Sequence, residues 1–166
     1  MRRIADELGV KAGALYYHMP NKQSLLAEIA DVILTPVAVP RATDTGEWLR
    51  QWSHHLRDAL LAHRDGAELV SSAAALGMGA VDVTLAAREL LAGNGYPEPA
   101  ATMATFLHFI LGHVMAEQTR VQLATLGVLE GFDEHASRTD FSHGVELLVR
   151  GVTTSQQPED FPSRSQ

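Results

Sequence analysis

Apolar residues recur at every third or fourth position along almost the whole chain, and hardly any stretch alternates apolar with polar. That period matches one face of an α-helix and does not match a strand. The chain is therefore expected to be all-α. Residues 2–8 read as a first helix with Ile4, Ala5 and Leu8 on one face, ended by Gly9 as a left-handed residue. Residues 12–18 read as a short second helix. "MPN" then breaks the chain, and Asn21 is placed to cap a third helix over residues 22–34, with Leu25, Ile29 and Ile33 on its stripe.

Residues 35–47, "TPVAVPRATDTGE", are rich in proline and threonine and read as a connector. Asp44, with Glu47 three residues on, caps a helix running to about His63. Its stripe is Trp48, Trp52, Leu56 and Leu60. Short helices are expected near residues 67–75 and 80–91, the second stopped by "GNGYP", and the longest helix over about residues 98–126. Residues 127–140, "GVLEGFDEHASRTD", read as a loop or frayed turn, and a final helix covers about residues 141–152. The tail, residues 153–166, is polar, contains proline and is expected to be ordered only where it packs.

Two of these segments have little or no polar face. "FLHFILGHVM" (residues 106–115) carries no formal charge, and "FSHGVELLVRGV" (residues 141–152) is nearly as apolar. A helix apolar all round must be covered on every side. Small helices supply few sites so deep, so a subunit interface is expected: a homodimer through these two helices, with Gly112, Gly144 and Gly151 allowing close approach.

Several classes of function find no support. No run of 18 uncharged apolar residues suggests a membrane span, and no secretory leader pattern opens the chain. Cysteine is absent, which removes disulfides and thiolate chemistry and suits a cytoplasmic protein. No G-x-S-x-G, P-loop or paired-carboxylate motif points to catalysis, so the chain is not expected to be an enzyme. His55, His108 and His113 invite a metal reading, but His108 and His113 are five apart and so lie on different helix faces, and no carboxylate completes a set; no metal and no cofactor is expected.

The formal net charge is −7, which alone argues against nucleic acid. Its distribution argues otherwise. Arg2, Arg3, Lys11 and Lys22 outnumber Asp6 and Glu7 in the first 22 residues, and the acidic excess lies beyond them. Helix, glycine-containing turn and short helix is the order of a helix-turn-helix, whose second helix enters the major groove with its N-terminal residues against base edges. The second helix opens with "KAGA", small residues that let its backbone approach closely. Tyr16 and Tyr17 are adjacent, so one can pack inward while the other offers its hydroxyl to phosphate. The candidate DNA-contacting residues are Arg2, Arg3, Lys11, Ala12, Tyr16, Tyr17, His18 and Lys22. Charged and hydroxyl contacts of this kind position a protein on DNA rather than specify a sequence.

"MRRIADELGVKAGALYYHMPNKQSLLAEI" resembles the DNA-binding segment of the tetracycline-repressor (TetR) family. The family pattern falls on Arg2, Ile4, Ala5, Leu8, Gly9 and Val10, then on Leu15, Tyr16, His18, Asn21, Lys22, Leu25 and Leu26. "LLAHRDGA" (residues 60–67), "HFILGHVMAEQ" (108–118) and "FSHGVELLVRG" (141–151) resemble the C-terminal domain of the tetracycline-repressor branch. The resemblance implies a helix-turn-helix domain over residues 1–34 and a ligand-binding and dimerisation domain over 44–152. It also implies one further helix ahead of the residues matching Arg2, which this sequence does not include. Truncation, a misassigned start and a real loss of DNA binding are all open as accounts, and the head is expected to be loose.

In tetracycline repressors a histidine and a glutamate hold a magnesium–drug chelate. The resemblance puts those positions on Val70 and Ala116, and puts a drug-gripping asparagine and its aromatic neighbour near Trp52 and Leu56. The metal ligands are therefore absent, and a hydrophobic, metal-free effector is expected. Its candidate site lies between the helix of Trp48 and Leu60 and that of Met103 and Ala116. The candidate lining is Trp52, His55, Leu56, Val70, Ala74, Met103, Leu107, His108 and Leu111. The expected function is a ligand-responsive transcriptional regulator, a repressor released from its DNA operator by a small molecule. The alternative is a helical carrier or enzyme with a non-functional head.

Overall fold

The computed structural model describes residues 1–154, so most of the tail expected at 153–166 lies outside the described residues. Among these, the secondary structure is helical throughout: α1 (Arg2–Glu7), α2 (Ala12–His18), α3 (Lys22–Leu34), α4 (Thr45–Leu61), α5 (Gly66–Ala75), α6 (Leu85–Gly93), α7 (Pro99–Thr125) and α8 (Glu134–Thr154). The all-α expectation holds. Two caps are where the sequence places them. Asn21 Oδ1 accepts the Ser24 N–H at 2.8 Å, and Asp44 Oδ1 accepts the Glu47 N–H at 2.7 Å.

Two boundaries differ. α8 starts at Glu134, nearly two turns before Phe141, because Asp133 caps it by accepting the Ala136 N–H at 2.9 Å. Ser137 and Phe141 then share its buried face at i, i+4 spacing. The polar "DEHASRTD" hides that two-residue stripe. α6 starts at Leu85 rather than near Ala80, because residues 80 and 81 give their N–H groups to Asp31 of α3 instead of to a helix.

α7 runs through the middle of the body and packs against α4, α5, α6 and α8, while α3 lies on α4 and α5. By length and composition α7 could also cross a membrane, yet in this fold it is the central core helix. Phe106, Ile110 and Val114, one per turn, are buried with Trp52, Leu56 and Leu60 of α4 and Phe141, Val145 and Val149 of α8. So the apolar residues of α7 and α8 are divided. One face of each is consumed within the chain, and only the outward residues, among them Ala104, His108 and Gly112 on α7 and Leu147 on α8, face away. Gly144 belongs to the inner set: a Cβ there would overlap the Phe109 ring, whereas one at Gly112 or Gly151 would meet nothing.

Inside the apolar body sits an ion pair that the sequence gives no hint of. Arg57 of α4 is fully buried and Glu117 of α7 is 4% exposed. Arg57 Nη2 donates to both Glu117 carboxylate oxygens, at 2.9 and 2.8 Å. Ser137 of α8 donates its hydroxyl to Glu117 Oε2 at 2.9 Å. The guanidinium also lies over the Phe141 ring, 5.4 Å from its centroid. Arg57 Nε and Nη1 have no hydrogen-bond partner, although Nη1 lies 3.7 Å from the exposed Asp58 carboxylate, so the charge is met chiefly by Glu117 and the ring. Beside it, Gln118 donates to the carbonyls of Leu60 and His63 and accepts the Ala67 N–H, which fixes the turn between α4 and α5.

Nearer the surface, Glu146 of α8 accepts from Arg50 of α4 at 2.8 Å and from Arg150 at 2.9 Å. Hydrogen bonds from these two guanidinium groups hold its carboxyl at about 2, well below the usual carboxylate range. Solvent screens this pair, so it aligns α8 on α4 more than it stabilises the fold. The buried pair carries the sharper expectation. Glu117→Ala should destabilise the protein by about 3–5 kcal/mol, since it removes the carboxylate that the buried guanidinium hydrogen-bonds. Replacing both partners, Arg57→Met with Glu117→Leu, should recover most of that loss. Thermal unfolding of the three variants checks both statements.

Candidate nucleic-acid interface and effector cavity

The head is built from two short helices and a glycine turn. α1 ends where Gly9 takes a φ of +66°, a conformation that costs a residue with a Cβ. The Gly9 N–H returns to Asp6 O at 3.1 Å and the Val10 N–H to Ala5 O at 2.9 Å. Lys11 then enters α2 in extended backbone and offers no side-chain cap, so no side chain of its own blocks that helix's first N–H groups. Arg2, Arg3, Lys11, Tyr16, Tyr17, His18 and Lys22 are all exposed and Ala12 is half-buried. The two tyrosines divide: Tyr16 is 45% exposed and Tyr17 is 85% exposed. Tyr17 is thus the outward one, with its ring edge-on to His18 at 5.1 Å.

The same head is poorly packed. α1 packs on α2 and on no other helix. Of its residues only Ala5 is buried, while Ile4, Leu8 and Val10 stay exposed.

In the body two cavities flank one irregular segment, residues 77–84. The first, about 410 Å³, lies between α3, α5 and that segment, with Leu34, Val70, Ala73, Val81 and Leu107 among its walls. The second, about 260 Å³, lies on the other side of the segment, against Val37, Trp52 and Leu85. Leu34, Val81, Asp82 and Val83 border both. The Trp52 indole N–H donates to Val83 O at 3.0 Å, and Asp82 is paired with Arg88 of α6. An apolar cavity with a few polar groups at its rim is the usual make-up of a small-molecule site.

These cavities sit on the α3 side of the body rather than in the seam between α4 and α7. Val70, Ala74 and Leu107 line the first and Trp52 lines the second. Leu56, Met103 and Leu111 are buried in the core and border neither. His55 holds the α3–α4 connector, with Nδ1 3.0 Å from Ala38 O. His108 points out from α7 and is exposed. Val70 is buried beside the first cavity and Ala116 is exposed on α7, and a hydrocarbon side chain at either place offers no metal ligand. The residue that sequence reasoning missed is Asp31. It sits among apolar neighbours on α3, and only the pairing of "GMGAV" with that helix in three dimensions gives it partners.

A helix-turn-helix joined through one helix to a helical body with a cavity against that helix is the build of a ligand-responsive, DNA-binding transcriptional regulator. Residues 1–29 match the family described as bacterial regulatory proteins, tetR family, and residues 39–130 match the tetracyclin repressor-like C-terminal domain. The chain belongs to the TetR family. It is 35% identical to the tetracycline repressor protein class C of Escherichia coli, over 91% of this chain and 80% of that protein. Among solved structures, BioQ of Mycobacterium smegmatis superposes with a TM-score of 0.82 at 35% identity, covering 92% of this chain and 85% of its own. BioQ bound to its double-stranded DNA operator superposes with a TM-score of 0.72 at 34% identity, covering 92% and 84%.

Proposed function

We propose that this chain acts in the cytoplasm as a homodimeric repressor, with residues 1–34 as the DNA-binding head and residues 44–152 as the effector-binding and dimerisation body. The supporting observation is the pairing of an outward-facing Tyr17 and Lys22 in the head with an apolar cavity walled by α3, the helix that carries the head. Two such heads in a dimer would sit in successive major grooves about 34–36 Å apart on a palindromic operator. An effector that prefers one spacing of the heads by a few kcal/mol suffices to release them. The effector is a small hydrophobic molecule taken up without metal, and the chain works as a regulator rather than an enzyme. The second reading is a helical small-molecule carrier or enzyme with a silent head.

Anisotropy titration with DNA from upstream of the chain's own coding sequence separates the two. A regulator binds it with a steep salt dependence, and a carrier shows no such binding. Tyr17→Ala and Lys22→Ala should weaken operator and unrelated DNA alike, and Lys22→Ala should lower the salt slope by about one. The dimer is expected through the outward faces of α7 and α8. Leu147→Glu, at an exposed α8 position, should give monomer in sedimentation, whereas an unchanged dimer would place the interface elsewhere. Gly144 is unsuited to that test because its side chain would strike Phe109 within the same chain. Tetracycline, titrated with and without magnesium against Trp48 and Trp52 fluorescence, should show no magnesium-dependent binding. A charged chelate would meet hydrocarbon at Val70 and Ala116 with nothing to offset its desolvation. Micromolar, magnesium-dependent binding would overturn that expectation.

A further inference from the structure

Asp31 lies in the third turn of α3, the helix between head and body. Its carboxylate reaches across to residues 80 and 81 and accepts two backbone N–H groups: Ala80 to Oδ1 and Oδ2 at 3.0 and 2.9 Å, and Val81 to Oδ1 at 3.0 Å. The segment bends to meet it at Gly79, where φ is +115° and a Cβ would stand only 3.2 Å from Asp31 Oδ1. Two residues further on, the same segment is tied to α4 by the Trp52–Val83 bond. Residues 77–84 are thus a partition between two cavities, pinned on one side to the rigid body and on the other to the helix that carries the head.

We propose that Asp31 is the positioning residue that transmits occupancy of the cavity to the DNA-binding head. The inference rests on the reading of the 410 Å³ cavity as the effector site. A molecule seated there presses on Val81 and Val83. Displacing the partition draws the N–H groups of Ala80 and Val81 off the carboxylate, because the Trp52 bond holds its other end in place. α3 then loses its polar tie to residues 80 and 81 and keeps its apolar packing against α4 and α5. The bond is charge-assisted, so making and breaking it distinguishes two orientations of α3 more sharply than side-chain packing does.

The test uses the full chain, with N-phenyl-1-naphthylamine as a fluorescent apolar probe and residue-resolved amide hydrogen exchange. Loading the wild-type protein should speed exchange several-fold at Ala80 and Val81 and alter it along α3. Asp31→Asn places an amide NH₂ where one acceptor oxygen was. It should speed exchange at Ala80 and Val81 without probe, and it should leave α3 indifferent to loading. Glu28→Gln removes the same charge from an exposed position on the same helix and should behave as wild type. If the probe binds and α3 responds equally in wild type and Asp31→Asn, the coupling runs through apolar packing and the role given to Asp31 is wrong. If the probe does not enter the wild-type protein, the effector reading of the cavity fails, and this inference with it.

Discussion

Arg57 and Glu117 come from helices 60 residues apart in sequence and meet where α4, α7 and α8 converge. Removing both charges from water is costly, and their attraction offsets the cost only at good geometry with the remaining oxygens satisfied. Glu117 meets that condition, since its carboxylate takes Arg57 on both oxygens and the Ser137 hydroxyl on one. Arg57 meets it less fully, with two nitrogens unbonded and Phe141 under the guanidinium. Such a pair constrains more than it stabilises. Apolar side chains tolerate sliding, whereas this pair tolerates almost none, so it fixes the register of the three helices. The outward faces of α7 and α8 and the seat of Trp52 on α4 inherit that register.

The contrast between body and head follows from where burial is available. The body wraps α7 on four sides and buries tryptophans, leucines and phenylalanines in one cluster. In the head, α1 and α2 have six and seven residues, too short to be stable in water by themselves. Local opening free energies track such differences in buried contact. α3 belongs with the body in this respect, since Ala30, Ile33 and Leu34 are buried against α4 and α5.

The cavities illustrate why irregular structure is placed where it is. Residues 77–84 cannot continue as helix while Asp31 and Trp52 take their backbone groups. The side chains that pair with these backbone groups belong to two different helices. The segment therefore separates two hollows instead of filling them, and the volume left over is where a ligand can sit.

Much of this was legible in the chain itself. The 3.6-residue period gave the helices, Asn21 and Asp44 gave two of their starts, and Gly9 gave the turn of the head, because these signals act within one or two turns of backbone. The exposed residues of the helix-turn-helix were legible for the same reason, although only the fold separated Tyr17 from Tyr16. The start of α8 at Glu134 was masked by a polar run whose single buried turn, Ser137 to Phe141, has meaning only against α4 and α7. Of the residues expected to line a pocket, Val70, Ala74, Leu107 and Trp52 border cavities, while Leu56, Met103 and Leu111 fill the core. A periodic stripe says that a side chain faces inward and does not say whether atoms or space await it. Arg57 with Glu117, and Asp31 with the 80–81 backbone, were beyond reach of the sequence, since each joins residues 49 or more positions apart. Which distant groups meet is decided by how the helices stack, and that is a property of the folded chain as a whole.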